Sequence, residues 1–254
     1  MKTPILITAV GTTEKAFKTY GHMDKFFKEK FKDQSILWAY SSRFVKAERK
    51  KANDHDIKYS VEVLKELKKD GNKTVIVQSL HIIAGYEFHE IILEALKLNI
   101  NISFGLPLLT SVKDYEETIE AVAPLIPESE DEAAVFVGHG TDHPSWTSYI
   151  VFEQFLKKKW GKRVFTGVLK GYPDMDETIK RIETLGFKKV RIIPFMIVAG
   201  VHFMQDLTKK DDSWQKTFER RGIKVNVIDH GLGELDTINN IFARHISEAF
   251  EKIS

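Results

Sequence analysis

The chain of 254 residues contains no cysteine. That excludes disulfides, thiolate metal sites and cysteine nucleophiles, and it fits a reducing compartment. A dominant charge is also missing. Against 38 Lys and Arg stand 36 Asp and Glu, a formal net charge of +2, so bulk electrostatics do not point to nucleic acid. No apolar run approaches the ~20 residues that a membrane helix needs. Met1-Lys2-Thr3-Pro4 leads straight into the short apolar run Ile5–Val10, too short for the apolar region of a signal peptide. The expectation is a cytoplasmic protein with neither nucleic acid nor membrane as partner. No G-x-G-x-x-G follows a strand, and there is no G-x-x-x-x-G-K-[ST] loop and no G-x-S-x-G elbow. Neither a nucleotide cofactor nor serine hydrolysis is expected. Apolar content of 43% and charged content of 29% are ordinary for a globular protein. The length allows one large domain or two small ones.

What is present is a repeat. Val75 to Phe88 reads VIVQSLHIIAGYEF, and Val190 to Phe203 reads VRIIPFMIVAGVHF. Each is an apolar strand run, an Ile/Val-Ala-Gly turn, and an aromatic residue three positions past the glycine. Aligning Gly85 with Gly200 gives an offset of 115 and sets Glu87 opposite His202. A weaker echo links Ala9-Val10-Gly11-Thr12 to Gly138-His139-Gly140-Thr141, with Val10 opposite His139. Packing explains a repeated strand, but not histidines at both turns of one half only. The pattern suggests two matched lobes with a site between them.

Short apolar runs, most of them continuous, read as strands at Ile5–Val10, Ser35–Tyr40, Thr74–Gln78, Asn101–Gly105, Ala133–Val137, Val164–Leu169, Val190–Pro194 and Val225–Ile228. Continuous rather than alternating runs suit strands buried on both faces. Helical stripes lie between them. Ser60 is placed to cap a helix with Val61, Leu64 and Leu67 inward, stopped at Gly71. Tyr115, Ile119 and Val122 mark a second stripe, and Met175, Ile179 and Ile182 a third. Alternation of strand and helix predicts α/β architecture with parallel sheets. The acidic, proline-bearing stretch Pro124 to Glu132 reads as a linker. It predicts lobes at residues 1–126 and 127–254, each with a four-stranded sheet, the last helix being free to pack on the first lobe. Ligands in doubly wound sheets bind beyond the strand carboxyl ends. Gly11, Gly85, His139 and His202 all fall at such ends and would line one cleft.

Gly138-His139-Gly140 sets an imidazole between glycines, which permit unusual backbone angles and close approach of a ligand. His143 lies four residues on. A helical His-x3-His pair binds metal, but Gly140 and Pro144 mark this stretch as loop. His202 follows the repeated turn beside Phe203 and Met204, and reads equally as a core histidine or a site residue. His81 reads as a buried histidine or a pocket wall, with Glu87 near the mouth of the same lobe. Histidines without thiolates suit a borderline divalent metal such as Co, Ni, Fe or Zn. Two basic clusters, Arg43 to Lys51 and Lys157 to Arg163, read as solvated faces or as a rim that attracts a polyanionic small molecule.

The ordered set ILITAVGTT, QSLHIIAGYEF, FGLPLLTSVKDY, VFVGHGT, GYPDMDETI, PFMIVAGVHF, DDSWQ and GLGE resembles the anaerobic, class II cobalt chelatases, which insert cobalt into sirohydrochlorin. The resemblance spans essentially the whole chain. It implies two flavodoxin-like lobes with the tetrapyrrole between them. It also implies a metal site of three residues: the histidine of the G-H-G turn, a glutamate on the strand before Tyr-Pro, and the histidine of the A-G-x-H segment. Here these positions are His139, Lys170 and His202. Lys170 departs from the family. An ammonium donates hydrogen bonds only and repels a dication, so Glu87 is a candidate replacement ligand, and Lys170 a candidate grip on a substrate carboxylate.

On this reading the chain is a tetrapyrrole metal chelatase. Its metal substrate would be Co²⁺, with Fe²⁺ or Ni²⁺ as alternatives. Insertion removes two pyrrole N–H protons and exchanges metal ligands for ring nitrogens. Imidazole can do either task, because its ordinary pKa lies near working pH. His139 is assigned as principal ligand and base, and His202 as second ligand. Gly11, Thr12, His81, Glu87 and Lys170 are assigned to substrate contact. A homo-oligomer is compatible with the chain. Two other readings stand beside this one. The first is a haem-binding or iron-removing relative, favoured by Lys170. The second is a non-catalytic two-lobed ligand-binding protein, disfavoured by the absence of a signal peptide.

Overall fold

A computed structural model of the chain describes residues 2–11, 14–41 and 58–253, apart from the side chains of residues 14–16 and 202. Thr12 and the basic cluster from Arg43 to Lys51 lie outside the described residues. Eight strands form among the described residues: β1 Ile5–Ala9, β2 Ile36–Tyr40, β3 Thr74–Ser79, β4 Asn101–Gly105, β5 Glu132–Gly138, β6 Val164–Val168, β7 Lys189–Pro194 and β8 Lys224–Val227. The helices between and after them are α1 Glu14–Lys30, α2 Ser60–Lys69, α3 Tyr86–Leu96, α4 Val112–Ala121, α5 Thr147–Trp160, α6 Met175–Thr184, α7 Val201–Thr208, α8 Trp214–Arg220 and α9 Asp236–Glu251. All strand pairings are parallel, in the orders β2-β1-β3-β4 and β6-β5-β7-β8. The two sheets thus have one topology, each reversing direction at its central pair.

The repeat read from the sequence is a structural repeat. Strands β3 and β7 have six residues each, and both bounds are related by the offset of 115. Gly85 and Gly200 are the N-cap residues of α3 and α7. Each strand therefore feeds a loop of equal length and a helix that starts at the equivalent residue.

By its contacts the chain divides into two units, residues 1–110 with 236–254, and residues 111–235. In the first, α2 and α3 cover one sheet face through Val63, Leu64, Ile91 and Ala95 against Leu6 and Val77. Helix α9 belongs to this unit and buries Ile238, Phe242 and Ile246. In the second, α6, α7 and α8 cover one face with Ile179, Ile182, Leu207, Trp214 and Phe218. Phe152 of α5 stacks on Phe195 at 4.3 Å. Helix α4 belongs here, and its Tyr115 ring stacks on Phe155 at 5.2 Å. Residues 111–126, assigned from sequence to the first lobe, are thus part of the second unit. The stretch from Pro124 to Glu132 runs within it, with Leu125 and Ile126 buried.

The first turn of α2 also differs from the reading above. Tyr59 is the N-cap and Ser60 the first helical residue, and Val63 rather than Val61 faces the core. The Glu62 carboxylate accepts a hydrogen bond from the Tyr59 N–H. That reciprocal bond at the third helical position is what sets the start one residue early.

Glu153 of α5 is a buried charge of the second unit. It accepts hydrogen bonds from the Thr166 N–H at 2.7 Å, from Lys157 at 2.6 Å and from Arg181. Burial pushes its carboxyl up, but the bonds from Lys157, Thr166 and Arg181 outweigh burial and hold it below the usual 4.5. A depressed carboxyl contributes stability above its unfolded pKa and loses it as pH falls through the folded value. Glu153→Gln should therefore cost about 2–4 kcal/mol at neutral pH and less below pH 4.5. Denaturant melts of both proteins at pH 7 and pH 3.5 check this. An equal gap at both values counts against it.

Candidate active site

The direction of each sheet reverses at β1/β3 and at β5/β7, and loops leaving such a switch point bound a crevice. In the second unit these are the turn after β5, which carries His139, and the loop from Phe195 to Gly200. His202 is the second residue of α7, and its side chain lies outside the described residues. In the first unit they are the segment from Val10 to Gly11 after β1 and the loop from Leu80 to Gly85 after β3, followed by α3.

His139 is exposed directly beyond β5. Its Nδ1 lies 3.1 Å from the Gly140 carbonyl oxygen. A carbonyl only accepts, so Nδ1 is the donor there, and in the neutral imidazole that leaves the lone pair on Nε2, the nitrogen a metal ligand or a base needs. Both flanking glycines have a steric reason. A Cβ on Gly138 would sit 2.5 Å from the Tyr149 ring. Gly140 has φ +82°, and a Cβ there would meet the Lys170 carbonyl oxygen at 1.8 Å. Tyr149 lies beneath the turn, with its hydroxyl 3.4 Å from the Gly140 N–H. Burial, partly offset by that contact, pushes its hydroxyl up to about 12, so the group is neutral.

Lys170 follows β6 beside this turn. Its N–H donates to the His139 carbonyl at 3.1 Å, and the Leu169 N–H to that of Gly138 at 3.0 Å. The β5–β6 ladder therefore continues past both strand ends. It fixes the lysine next to the histidine, with the lysine side chain exposed. The next residues carry a cis Tyr172–Pro173 bond, and the Tyr172 ring meets Trp146 edge-on at 5.6 Å. His143 caps a short 3₁₀ turn, its Nδ1 accepting from the Ser145 N–H at 3.1 Å. It is a loop residue, and its Nδ1 is already engaged.

In the first unit the structure brings together two of the expected residues. His81 is 8% exposed, with Nδ1 2.7 Å from the Ser79 hydroxyl. Its Nε2 lies 3.3 Å from Glu87 Oε2, an ion-pair distance if the imidazole is protonated. Glu87 Oε1 accepts from the Ser41 hydroxyl at 3.1 Å. Nearby, the Tyr20 hydroxyl donates to the Val10 carbonyl at 2.6 Å. Burial, then the Tyr40 and Glu87 charges, raise the Tyr20 hydroxyl pKa further. Gly11 follows β1 at the same end. Tyr149, Ser41 and Ser79 were missed in the sequence. Tyr149 shares a helical stripe with Phe152 and Leu156 and reads as core. The serines carry no local signal.

Among the described residues no three His, Asp or Glu side chains group to hold a metal. The expected third position is occupied by Lys170. The basic run from Lys157 to Arg163 has largely internal partners: Lys157 on Glu153, Lys159 on Glu120, and Arg163 on the Pro127 and Ser129 carbonyls. It serves the fold more than a steering rim.

The family model of cobalt chelatase (CbiK) matches residues 3–251. The chain belongs to the cobalt chelatase (CbiK) family. Within this family it is similar to the sirohydrochlorin cobaltochelatase of Salmonella typhimurium strain LT2. The two are 29% identical over 98% of this chain and 97% of that protein. It is also similar to the sirohydrochlorin cobaltochelatase CbiKC of Nitratidesulfovibrio vulgaris strain Hildenborough, at 29% identity over 98% of this chain and 90% of that one. Among solved structures, the fold is that of the sirohydrochlorin chelatase SirB from Bacillus subtilis subspecies spizizenii, determined in complex with cobalt. The TM-score is 0.68 at 16% identity, covering 99% of this chain and 96% of the other. Membership fits the α/β pair of parallel sheets. No described helix is long and apolar enough to cross a membrane.

Gly140→Ala tests the turn itself. The strained φ and the Lys170 carbonyl predict about 1–3 kcal/mol of lost stability and a fall in metal insertion of roughly tenfold or more, through displacement of the imidazole. Chemical melts and initial rates measure both. Wild-type values for both would remove the steric account of the motif.

Proposed function

We propose that the chain inserts a divalent metal, Co²⁺ foremost, into sirohydrochlorin or a closely related tetrapyrrole. The observation that carries this is the His139 turn: an exposed imidazole, with Nδ1 on the Gly140 carbonyl and Nε2 left for a ligand, held at the sheet switch point of a chain matched end to end by the chelatase family. The metal ion and the macrocycle are the substrates. Insertion releases two protons: each pyrrole N–H bond breaks, its electron pair goes to the metal, and the proton passes to a base. His139 Nε2 can accept one such proton or hold the incoming metal, and returns the proton to solvent. His202 is proposed as second ligand.

Glu87 is a weaker candidate for metal than the sequence suggested. Its carboxylate is engaged by Ser41 and lies close to His81. We assign His81, Glu87, Gly11 and Thr12 to substrate contact. Lys170 is assigned to a substrate carboxylate, because an ammonium beside an anion forms a charge-assisted bond, whereas beside a dication it must first lose its proton.

The experiment is a spectral assay. Metal-free sirohydrochlorin is mixed with Co²⁺ and a substoichiometric amount of the chain under anaerobic conditions, and the metallated spectrum is followed. Many turnovers per chain above the uncatalysed rate are expected. Conversion limited to the uncatalysed rate, with Fe²⁺ and Ni²⁺ equally inert, would overturn the proposal. In that assay an axial-ligand change on added haem, without insertion, would support the haem-binding reading instead.

A further inference from the structure

Two aromatic side chains stand beside the His139 turn without belonging to the core. Trp146 ends the 3₁₀ turn Pro144–Trp146 and directly precedes α5. Tyr172 follows Lys170 by two residues. Helix α5 faces the core with Tyr149, Phe152 and Leu156, all buried. Trp146, one turn before them, stays partly exposed, and Tyr172 is 41% exposed. The two rings meet with their planes at 90°.

These rings are held in place although they are exposed. The Tyr172 hydroxyl donates to Glu177 Oε1 at 2.9 Å. The Val168 N–H donates to the Pro173 carbonyl at 3.0 Å, and the Trp146 N–H to that of His143 at 2.9 Å. The Lys170 N–H ties the same segment to the His139 carbonyl. Fixing an exposed ring costs side-chain entropy, and a ligand that packs on the fixed ring loses less on binding. The polar ends of the two rings differ. The Tyr172 hydroxyl is engaged by Glu177, whereas among the described residues the Trp146 indole N–H has no hydrogen-bond partner. That group only donates. An apolar ring with one free donor suits a ligand that is flat and apolar in its middle and anionic at its edge. A tetrapyrrole that bears carboxylates has that chemistry.

We infer that Trp146 is a substrate-binding residue whose ring covers part of the macrocycle and whose indole N–H donates to a peripheral carboxylate. Tyr172 is its positioning residue and holds the indole through the edge-on contact. This rests on the tetrapyrrole reading above and deepens it. Lys170 and Trp146 then engage the rim of the macrocycle with two donors of different kind, one charged and one neutral and aromatic. Selection is for a ring that is both flat and carboxylated.

The test titrates the full chain with metal-free sirohydrochlorin, followed by its own absorbance, and separately with Co²⁺, and then measures insertion. Trp146→Ala should raise the sirohydrochlorin Kd by roughly tenfold or more, as when an aromatic platform is removed from a flat conjugated ligand. KM should rise with it, while kcat stays within about threefold, because ground-state and transition-state binding are lost together. Co²⁺ affinity should not change. Trp146→Phe keeps a ring and loses the N–H, and should recover part of the loss. Tyr172→Ala should weaken sirohydrochlorin binding more than Tyr172→Phe, which only releases Glu177. An unchanged Kd in Trp146→Ala overturns the inference. So does a loss that kcat and Co²⁺ affinity follow in step, since that is damage to the His139 turn, and so does a Trp146→Phe protein no better than Trp146→Ala. Weakened binding in the variants of a chain that inserts no metal would support the inference and sink the chelatase reading. Normal insertion with Trp146→Ala unaffected would do the reverse, and a wild type that does not bind sirohydrochlorin overturns both.

Discussion

Replacing His139 with alanine should lower metal insertion by roughly 10²–10⁴, the usual contribution of one acid–base group acting directly. The fold should stay within about 0.5 kcal/mol of wild type, as for other exposed substitutions. The imidazole is exposed, and among the described residues its Nδ1 contacts only the neighbouring Gly140 carbonyl. The turn is held by Tyr149 below and by the Lys170 backbone beside it. Neither support requires the imidazole. Initial rates at saturating Co²⁺ and sirohydrochlorin, with a parallel urea melt, check both halves. Turnover within a few-fold of wild type would remove His139 from the chemistry. A collapsed melt would mean that the ring is structural after all.

Lys170→Glu is expected to separate two roles by opposite signs. If Lys170 grips a substrate carboxylate, the exchange sets like charges together. Tetrapyrrole binding should then weaken by about 1–3 kcal/mol, the range for a lost bond to a charged group. That is roughly 5- to 150-fold in Kd. If Lys170 merely blocks a ligand position, the same exchange adds a carboxylate beside His139. Cobalt should then bind more tightly, with tetrapyrrole affinity unchanged. The first outcome is expected. The ladder bond from the Lys170 N–H to the His139 carbonyl fixes where either side chain begins, so the comparison tests charge rather than placement. Separate titrations with Co²⁺ and with metal-free sirohydrochlorin distinguish the two.

Much of the fold was legible because parallel strands buried on both faces are written as unbroken apolar runs. All eight runs became strands, with no end shifted by more than one residue. The repeat was legible for the same reason, and its glycines became helix N-caps in both units. Local pattern does not say which sheet a helix covers. Tyr115 and Ile119 mark α4 as amphipathic, yet nothing in their spacing reveals that Phe155 is the partner. The glycines around His139 signalled a special turn. Their cause, the Tyr149 ring for Gly138 and the Lys170 carbonyl for Gly140, comes from residues eleven and thirty positions away. The basic run from Lys157 to Arg163 misled for a related reason. Glu153 lies four residues before Lys157 on the same helix, a pairing that the spacing does offer, but Glu120, the counter-charge of Lys159, lies on α4, and sequence order does not pair them.

The placement of α9 bears on how the protein is made. The second unit, residues 111–235, is one continuous stretch, whereas the first needs both ends of the chain. Domains commonly fold in order as they leave the ribosome. Here the first unit emerges early but lacks α9, whose Ile238, Phe242 and Ile246 are buried in the finished fold. The apolar surface that α9 will cover must wait through the synthesis of 125 further residues, 111–235. At 5–20 residues per second that is roughly 6–25 s of exposure. The second unit has every residue it needs before then. A chain ending at residue 235 and released from the ribosome would therefore carry all the residues of the second unit but only part of the first.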